Sequence, residues 1–476
     1  MDTAPDQRAD QRADRHASLA AGDIAAHLHP FTNLAAHPEV GPLVITRGDG
    51  IFVEDDQGRR YLEGMSGLWC SALGFSHARV IEAGVRALRT LPYYHTFNHR
   101  SNPAAIELAQ ALLALAPVPM SKVFFANSGS EANDSAVKLV WYYHNASGRP
   151  AKKKIISRRR AYHGVTVAAA SLSGLPANHQ DFDLPIARIL HVGCPHHYRE
   201  AGPGESEEAF ATRLAEELEA RILAEGPDTV GAFIAEPVMG AGGVIVPPAT
   251  YFDKIQAVLR RHDVLLIADE VICGFGRTGA MFGSTTFGLR PDILTCAKAL
   301  SSGYQPISAV MVSARVHEAI AANSGRLGTF GHGFTYSGHP VATAVALETL
   351  RVYADENILA HVAEVAPRFQ QGLRALAQRP WVGEVRGIGL IGAVELVADR
   401  ASGRPFPPAA KVGARLARLA QEEGLIVRAM GDAIAFCPPL IITAAQIDDM
   451  LARFGRALDR LEATLAGEAA ASGAAA

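Results

Sequence analysis

Between residues 103 and 268, short apolar runs alternate with stretches of helical periodicity, and this alternation constrains the fold more than any other feature of the chain. Helical patterns cover residues 103–116, 130–144, 208–224 and 249–261, and strand patterns cover 122–126, 154–157, 230–235 and 264–268. Strands and helices of these lengths in strict alternation predict a mostly parallel α/β sheet. The register changes after Pro340. A long helical pattern to about residue 376 leads into strands at 382–386 and 390–396, a helix to 423 and a last strand at 433–436, which predicts a smaller α+β region. Strands at 50–55 and 59–62 flank a Gln57-Gly58 turn and are expected to pair with that C-terminal region. The expected organisation is therefore a tail at 1–20, an N-terminal part of the small domain at 21–70, a large domain at 71–335, the rest of the small domain at 336–465 and a tail at 466–476. Both tails lack apolar periodicity and are expected to be disordered.

Composition excludes several classes. A chain of 476 residues that is 49% hydrophobic can bury a large core, yet its apolar runs are short and broken by Gly, Pro or charge, so no membrane span is expected. The polar stretch 1–16 has no apolar leader core, and the cytoplasm is the expected compartment. Five cysteines without C-x-x-C spacing fit free thiols rather than a disulfide framework. A net charge of -3 argues against nucleic acid as a partner, and the basic clusters 152–154 and 158–160 read as solvated flanks of a strand. Neither Cys194, His196 and His197 nor His332 and His339 have the spacing of a metal site, so no metal is expected.

The chemistry collects where strands end. Ligands of open α/β sheets bind beyond the carboxyl ends of the strands, and Ser130, Tyr162, Glu236, Asp269 and Lys298 all fall at or just after such ends. Lys298 closes the apolar run 293–297; an amine partly desolvated there loses basicity and becomes a candidate nucleophile for a carbonyl, or else a strand-end lysine reaching solvent. Asn127-Ser128-Gly129-Ser130 follows an apolar strand and opens a helix, which suits a phosphate cradle as well as a plain helix cap. Tyr162-His163-Gly164 places an aromatic where a planar ring can lie. Asp269 ends a strand of five apolar residues and needs a partner, for which a pyridinium nitrogen is suited.

Together these residues resemble the class III, fold-type I pyridoxal-phosphate aminotransferases, and most of all their ω-amine:pyruvate group. The motifs that carry the resemblance are LHPFT at 28–32, GMSGLWC at 64–70, NSGSEA at 127–132, YHG at 162–164, GAGGVIVPPAT at 240–250, ADEVICGFGRTG at 268–279, AKALSSGY at 297–304 and HGFTYSGHP at 332–340. The resemblance runs from about residue 28 to 461. It implies a seven-stranded, mostly parallel sheet in the large domain and pyridoxal 5′-phosphate as cofactor. Lys298 would bond the cofactor aldehyde, Asp269 would pair with the ring nitrogen, Gly129 and Ser130 would hold the phosphate, Tyr162 would stack on the ring and Val271 would pack its other face. His163 and Glu236 belong to the same cofactor group. Thr335 would reach the phosphate of a neighbouring subunit and Phe97 would cross the same boundary, so a homodimer or a dimer of dimers is expected. Phe31, Trp69 and Tyr162 would shape the substrate pocket, and Arg428 would bind the carboxylate of the acceptor. The implied activity is ping-pong transfer of an amino group from an amine, diamine or ω-amino acid to pyruvate or a similar keto acid. The alternatives are another reaction on the same cofactor, such as intramolecular transfer or decarboxylation, and a cofactor-binding protein without turnover.

Overall fold

The computed structural model describes residues 7–473. Its first strands, β1 (Ile45–Asp49), β2 (Phe52–Asp55) and β3 (Arg60–Glu63), form an antiparallel ribbon. There follow β4 (Lys122–Ala126), β5 (Lys154–Arg158), β6 (Ile189–Val192), β7 (Val230–Ala235), β8 (Leu265–Asp269), β9 (Ile293–Cys296) and β10 (Ser308–Val312). These seven make one sheet in the order β4-β10-β9-β8-β7-β5-β6. The neighbours from β9 to β6 are parallel, while β10 runs antiparallel between β9 and β4. Every residue of β7, β8, β9 and β10 is buried, as helices on both faces of a central sheet require.

The small sheet combines β11 (Val382–Ile388), β12 (Ile391–Leu396), β14 (Arg428–Met430) and β15 (Ala433–Phe436) in the order β11-β12-β15-β14. The short β13 (Leu425–Ile426) pairs instead with β3, so the N-terminal ribbon joins the C-terminal region as expected. The long helical pattern after Pro340 is two helices, Pro340–Asp355 and Ile358–Ala375, broken at Asn357, whose φ of 50° ends the first. The first of them packs on Ala78–Thr90 and Pro103–Leu115.

Two expectations are corrected. Residues 7–20, expected to be a disordered tail, lie in the helix Gln7–Ala26, and 466–473 extend the helix Ala444–Gly473; residues 1–6 and 474–476 lie outside the described residues. Ala, Arg, Gln and Glu are strong helix formers, so these polar segments take helical backbone without an apolar stripe. The first helix is tied down by His16 Nδ1 at 2.7 Å from Asp56 Oδ2. Its end is tied by Asp23, which bonds His37 at 3.0 Å and His29 at 2.7 Å; these histidines hold the carboxyl down at about 2. Two members of the basic clusters around β5 are also not solvated, although Arg159 is exposed as expected. Lys152 is buried and donates to the carbonyls of His262 and Asp263, and Arg158 is fully buried and donates to the carbonyl of Glu236 at 2.7 Å. Backbone carbonyls at strand ends supply the partners that water was expected to give. Among the described residues no helix is long and apolar enough to cross a membrane.

Candidate active site

Sheet register gathers the strand-end residues. Ala235 pairs with Ala268 and Asp269 with Thr295, so Glu236, Asp269 and Lys298 follow one another along the carboxyl edge of β7, β8 and β9. The end of β4 joins that edge across β10, where Ser308 Oγ donates to the carbonyl of Ser128 at 2.8 Å.

Asp269 is the hub. Its Oδ2 accepts from Asn133 Nδ2 at 2.8 Å and lies 2.7 Å from His163 Nδ1, and its Oδ1 accepts the Val271 backbone N–H at 3.0 Å. A carboxylate offers about four lone-pair positions, so three occupied positions leave one for a ring N–H. Asn133 is itself fixed, because its Nδ2 also donates to the His163 carbonyl at 2.7 Å and its Oδ1 accepts from Thr295 Oγ1 at 2.9 Å. His163 therefore orients Asp269 from behind, and its buried Nε2 has no partner among the described residues. Glu236 has a comparable part. Its Oε1 accepts the Tyr162 N–H at 3.1 Å and its Oε2 the Gly240 N–H at 3.0 Å, while burial raises its pKa. Both oxygens hold the loops that frame the site.

Lys298 opens a short 3-10 turn with φ of 49°, a left-handed conformation that a non-glycine residue adopts only when its surroundings impose it. Burial lowers its pKa, against the opposing influence of Cys70, Asp269, Cys437 and Glu236. Among the described residues its Nζ has no hydrogen-bond partner. An amine held this way is available for bond formation with a carbonyl.

The stretch expected to be a phosphate cradle or a helix cap is a capped helix start, which is compatible with both. The helix Gly129–Ala146 is capped by Ser128 Oγ, which accepts the Glu131 N–H at 3.1 Å, while Glu131 Oε2 accepts the Asn127 N–H at 2.7 Å. That box leaves the amides of Gly129 and Ser130 at the positive end of an 18-residue helix. A Cβ on Gly129 would stand 3.1 Å from Val271 Cγ1, so the glycine keeps the space between the cradle and Val271 open. Gly164, at φ of 130°, lets its backbone approach so closely that a Cβ there would lie 2.5 Å from Ser130 Oγ. Ser130 Oγ accepts the Val165 N–H at 3.1 Å, lacing the Tyr162 loop to the first helical turn.

Tyr162 meets Phe31 edge-on with ring centroids 6.3 Å apart. Arg428, half-buried at the start of β14, lies close enough to influence that ring: burial lowers the arginine's pKa and Tyr162 opposes the shift. Trp69 is 2% exposed, packed with Met65, Val238, Ile272 and Ala435, which leaves it little free surface toward any pocket. Phe97 and Thr335 have their contacts elsewhere. Phe97 is 43% exposed and meets His95 edge-on beside a cleft of 1410 Å³, and the exposed Thr335 accepts from the Tyr93 hydroxyl at 3.0 Å through its carbonyl. Sequence reasoning missed Asn133 and Thr295, the two residues that fix Asp269 and each other. Its signal was a single amide among Ala132, Ala136 and Val137 on the buried side of the helix.

These residues suit pyridoxal 5′-phosphate: an amine without a partner, a carboxylate with one acceptor position left, a helix N-terminus for the phosphate, and glycines that keep the space between them open. Residues 34–458 match the family described as aminotransferase class-III, a family that uses this cofactor. The chain is 52% identical over 436 residues to gamma aminobutyrate transaminase 1, mitochondrial, of Solanum lycopersicum, covering 91% of this chain and 85% of the relative. It is 51% identical to the vanillin aminotransferase of Capsicum annuum, covering 91% and 95%. Among solved structures, the omega transaminase from Pseudomonas jessenii in complex with PMP superposes with a TM-score of 0.92 at 59% identity, covering 93% of this chain and 98% of that one. The strand-end lysine, the strand-end carboxylate and the match over most of its length agree, and the chain belongs to the class III aminotransferases of fold type I.

Proposed function

We propose that this aminotransferase moves an amino group from a primary amine, diamine or ω-amino acid to pyruvate or a similar keto acid. The observation that carries the reading is Arg428, a half-buried guanidinium with no ion pair among the described residues and within electrostatic reach of Tyr162, at a site whose lysine and carboxylate would serve the cofactor. A donor without a carboxylate needs no such cation, whereas a keto acid does, and a planar fork binds a carboxylate with two parallel hydrogen bonds.

Pyridoxal 5′-phosphate, when bound, would supply an aldehyde for the substrate amine and a ring that withdraws electrons from the reacting carbon. Lys298 Nζ would hold that aldehyde and, once free, would serve as the base and then the acid that moves the substrate proton. Asp269 would keep the ring nitrogen protonated, Gly129 and Ser130 would hold the phosphate, and Val271 and Tyr162 would line the ring. Glu236 and His163 hold the Tyr162 loop and Asp269 in place. Phe31 and Tyr162 wall the donor side, and the buried Trp69 packs in the core cluster of Met65, Val238 and Ile272. Donor and acceptor visit in turn, which gives ping-pong kinetics.

With the holoenzyme, a panel of amines and one equivalent of pyruvate, alanine is expected in step with the carbonyl product; amine consumption beyond one equivalent per active site without any keto acid would overturn the reading. Arg428→Ala is expected to raise the KM for pyruvate by about tenfold or more and to leave the KM for a carboxylate-free amine within about twofold of wild type. Equal losses for both would sink the assignment of Arg428.

Two subunits are part of the same proposal. Tyr93, Tyr94, Phe97 and Tyr336 are 40%, 42%, 43% and 57% exposed, and Tyr93 meets Tyr336 edge-on at 5.7 Å, so apolar surface gathers around Thr335. Such a surface suits a second copy whose phosphate cradle Thr335 completes. Light scattering is expected to give the mass of two or four chains, and a monomer with full activity would exclude the shared site. Cytoplasmic residence is supported by five free cysteines, four of them buried; the mitochondrial relative makes a fluorescent fusion the deciding measurement.

A further inference from the structure

One face of the small sheet is seated on the large domain, and its register shows which residues share that face. Arg386 pairs with Ala393, Ala393 with Ala435, and Ala435 with Arg428. Directly paired residues project from the same side of a sheet. One row across four strands therefore reads Arg386, Ala393, Ala435, Arg428, with an arginine at each edge, about 14 Å apart at the usual strand spacing. Between them Ala393 and Ala435, with Ile391 and Cys437, pack on Met65, Trp69, Val238 and Ile272 of the body below.

The two arginines face different surroundings. Arg428 lies within electrostatic reach of Tyr162 and has no ion pair among the described residues. Arg386 is buried and engaged through two of its nitrogens, while its Nη2 has no partner among the described residues. Its Nη1 pairs with Glu384 and with Glu395 at 2.5 Å, and its Nε donates to the Gly243 carbonyl at 2.8 Å. The same carboxylates reach the large domain: Glu384 bonds His196 Nε2 at 2.8 Å and Glu395 bonds Arg199 Nε at 2.5 Å. By spacing, His196, Glu384 and Glu395 could hold a cation, but the guanidinium of Arg386 already bridges the two carboxylates. The cluster is a latch between domains. Gly243 belongs to the turn whose Gly240 N–H is held by Glu236, the residue that also holds the Tyr162 N–H. Arg386 is thus tied to the site twice, along its sheet row to Arg428 and through the Gly240 turn to Tyr162.

We propose that Arg386 is a positioning residue for the carboxylate of the amino acceptor: by latching the outer edge of the small sheet to the large domain, it sets where Arg428, at the other end of the same row, stands against Tyr162. The inference rests on the reading of Arg428 given above. Its reach is the acceptor half-reaction, because a donor without a carboxylate makes no use of Arg428.

The test compares pyruvate with benzaldehyde, an acceptor without a carboxylate, in steady-state assays of the holoenzyme. Arg386→Met is expected to raise the KM for pyruvate about tenfold, within the range of couplings carried through packed elements, while the KM for benzaldehyde shifts less than about twofold. Arg386→Lys, which keeps the charge, is expected to recover most of the loss. Arg428→Leu should raise the pyruvate KM further, and the double variant Arg386→Met/Arg428→Leu should be no worse than Arg428→Leu alone, because the two act through one contact. Glu384→Gln keeps its hydrogen bonds and removes one charge, so it serves if Arg386→Met does not fold; a smaller rise for pyruvate alone is expected. Equal changes for both acceptors, no change in either, or losses that multiply in the double variant would overturn the role of Arg386. An unchanged pyruvate KM in Arg428→Leu would instead overturn the reading of Arg428 on which it rests.

Discussion

Lys298→Ala is expected to fold normally and to lose transamination by about 10⁴-fold or more, since both the covalent attachment and the proton transfer pass through one amine. Folding should survive because Nζ has no hydrogen-bond partner among the described residues, so its removal orphans none of them. Purified protein is expected to lack the visible absorbance of a lysine-bound cofactor while retaining cofactor through Gly129, Ser130 and Asp269. Removing the buried amine also removes a desolvation cost, the same cost that lowers its pKa. Thermal stability without cofactor should therefore equal or exceed that of the wild type. A small primary amine added to the assay should restore part of the proton transfer. Activity within tenfold of wild type would show that another group does this work.

The sheet and its edge were legible because a strand buried on both faces has a simple signature, an unbroken apolar run ending in a polar residue. Asp269 and Glu236 both end such runs, and Lys298 closes the β9 run, two residues past Cys296, so their convergence could be read before any coordinates. Asn133 and Thr295 were not legible. Each is one polar residue inside an element, and only the register that sets β9 against β8, and the helix over both, shows that they meet at Asp269. The row from Arg386 to Arg428 has the same character: its members lie in four strands and pair across 42 positions of sequence, where periodicity within one strand carries no information. The buried Arg158 and Lys152 were misread because charge was equated with exposure, whereas backbone carbonyls at a sheet edge can take the place of water. Thr335 and Phe97 show a different gap. Their proposed roles involve a second subunit, and one chain holds only their half of that contact.

Asp269→Asn is the second substitution with a large expected effect, and its cost follows from counting donors. The carboxylate takes N–H groups from Asn133 and Val271 and faces His163 Nδ1, with a position left for the cofactor ring. An amide has one acceptor oxygen and turns an NH₂ toward donors that were satisfied before, so at least one buried N–H loses its partner at a cost of about 1–3 kcal/mol. That cost should appear as a lower melting temperature of the cofactor-free protein. The catalytic loss should be larger, on the order of 10³-fold in kcat, because the fixed charge that keeps the ring nitrogen protonated acts in a buried site where such interactions are strong. Both half-reactions should fall by the same factor, since donor and acceptor steps share the ring, and the KM for pyruvate should hardly move, since Arg428 is untouched. This pattern separates Asp269 from Arg386 and Arg428, whose variants should alter the acceptor KM alone. A loss confined to one half-reaction would place Asp269 on the substrate rather than on the ring.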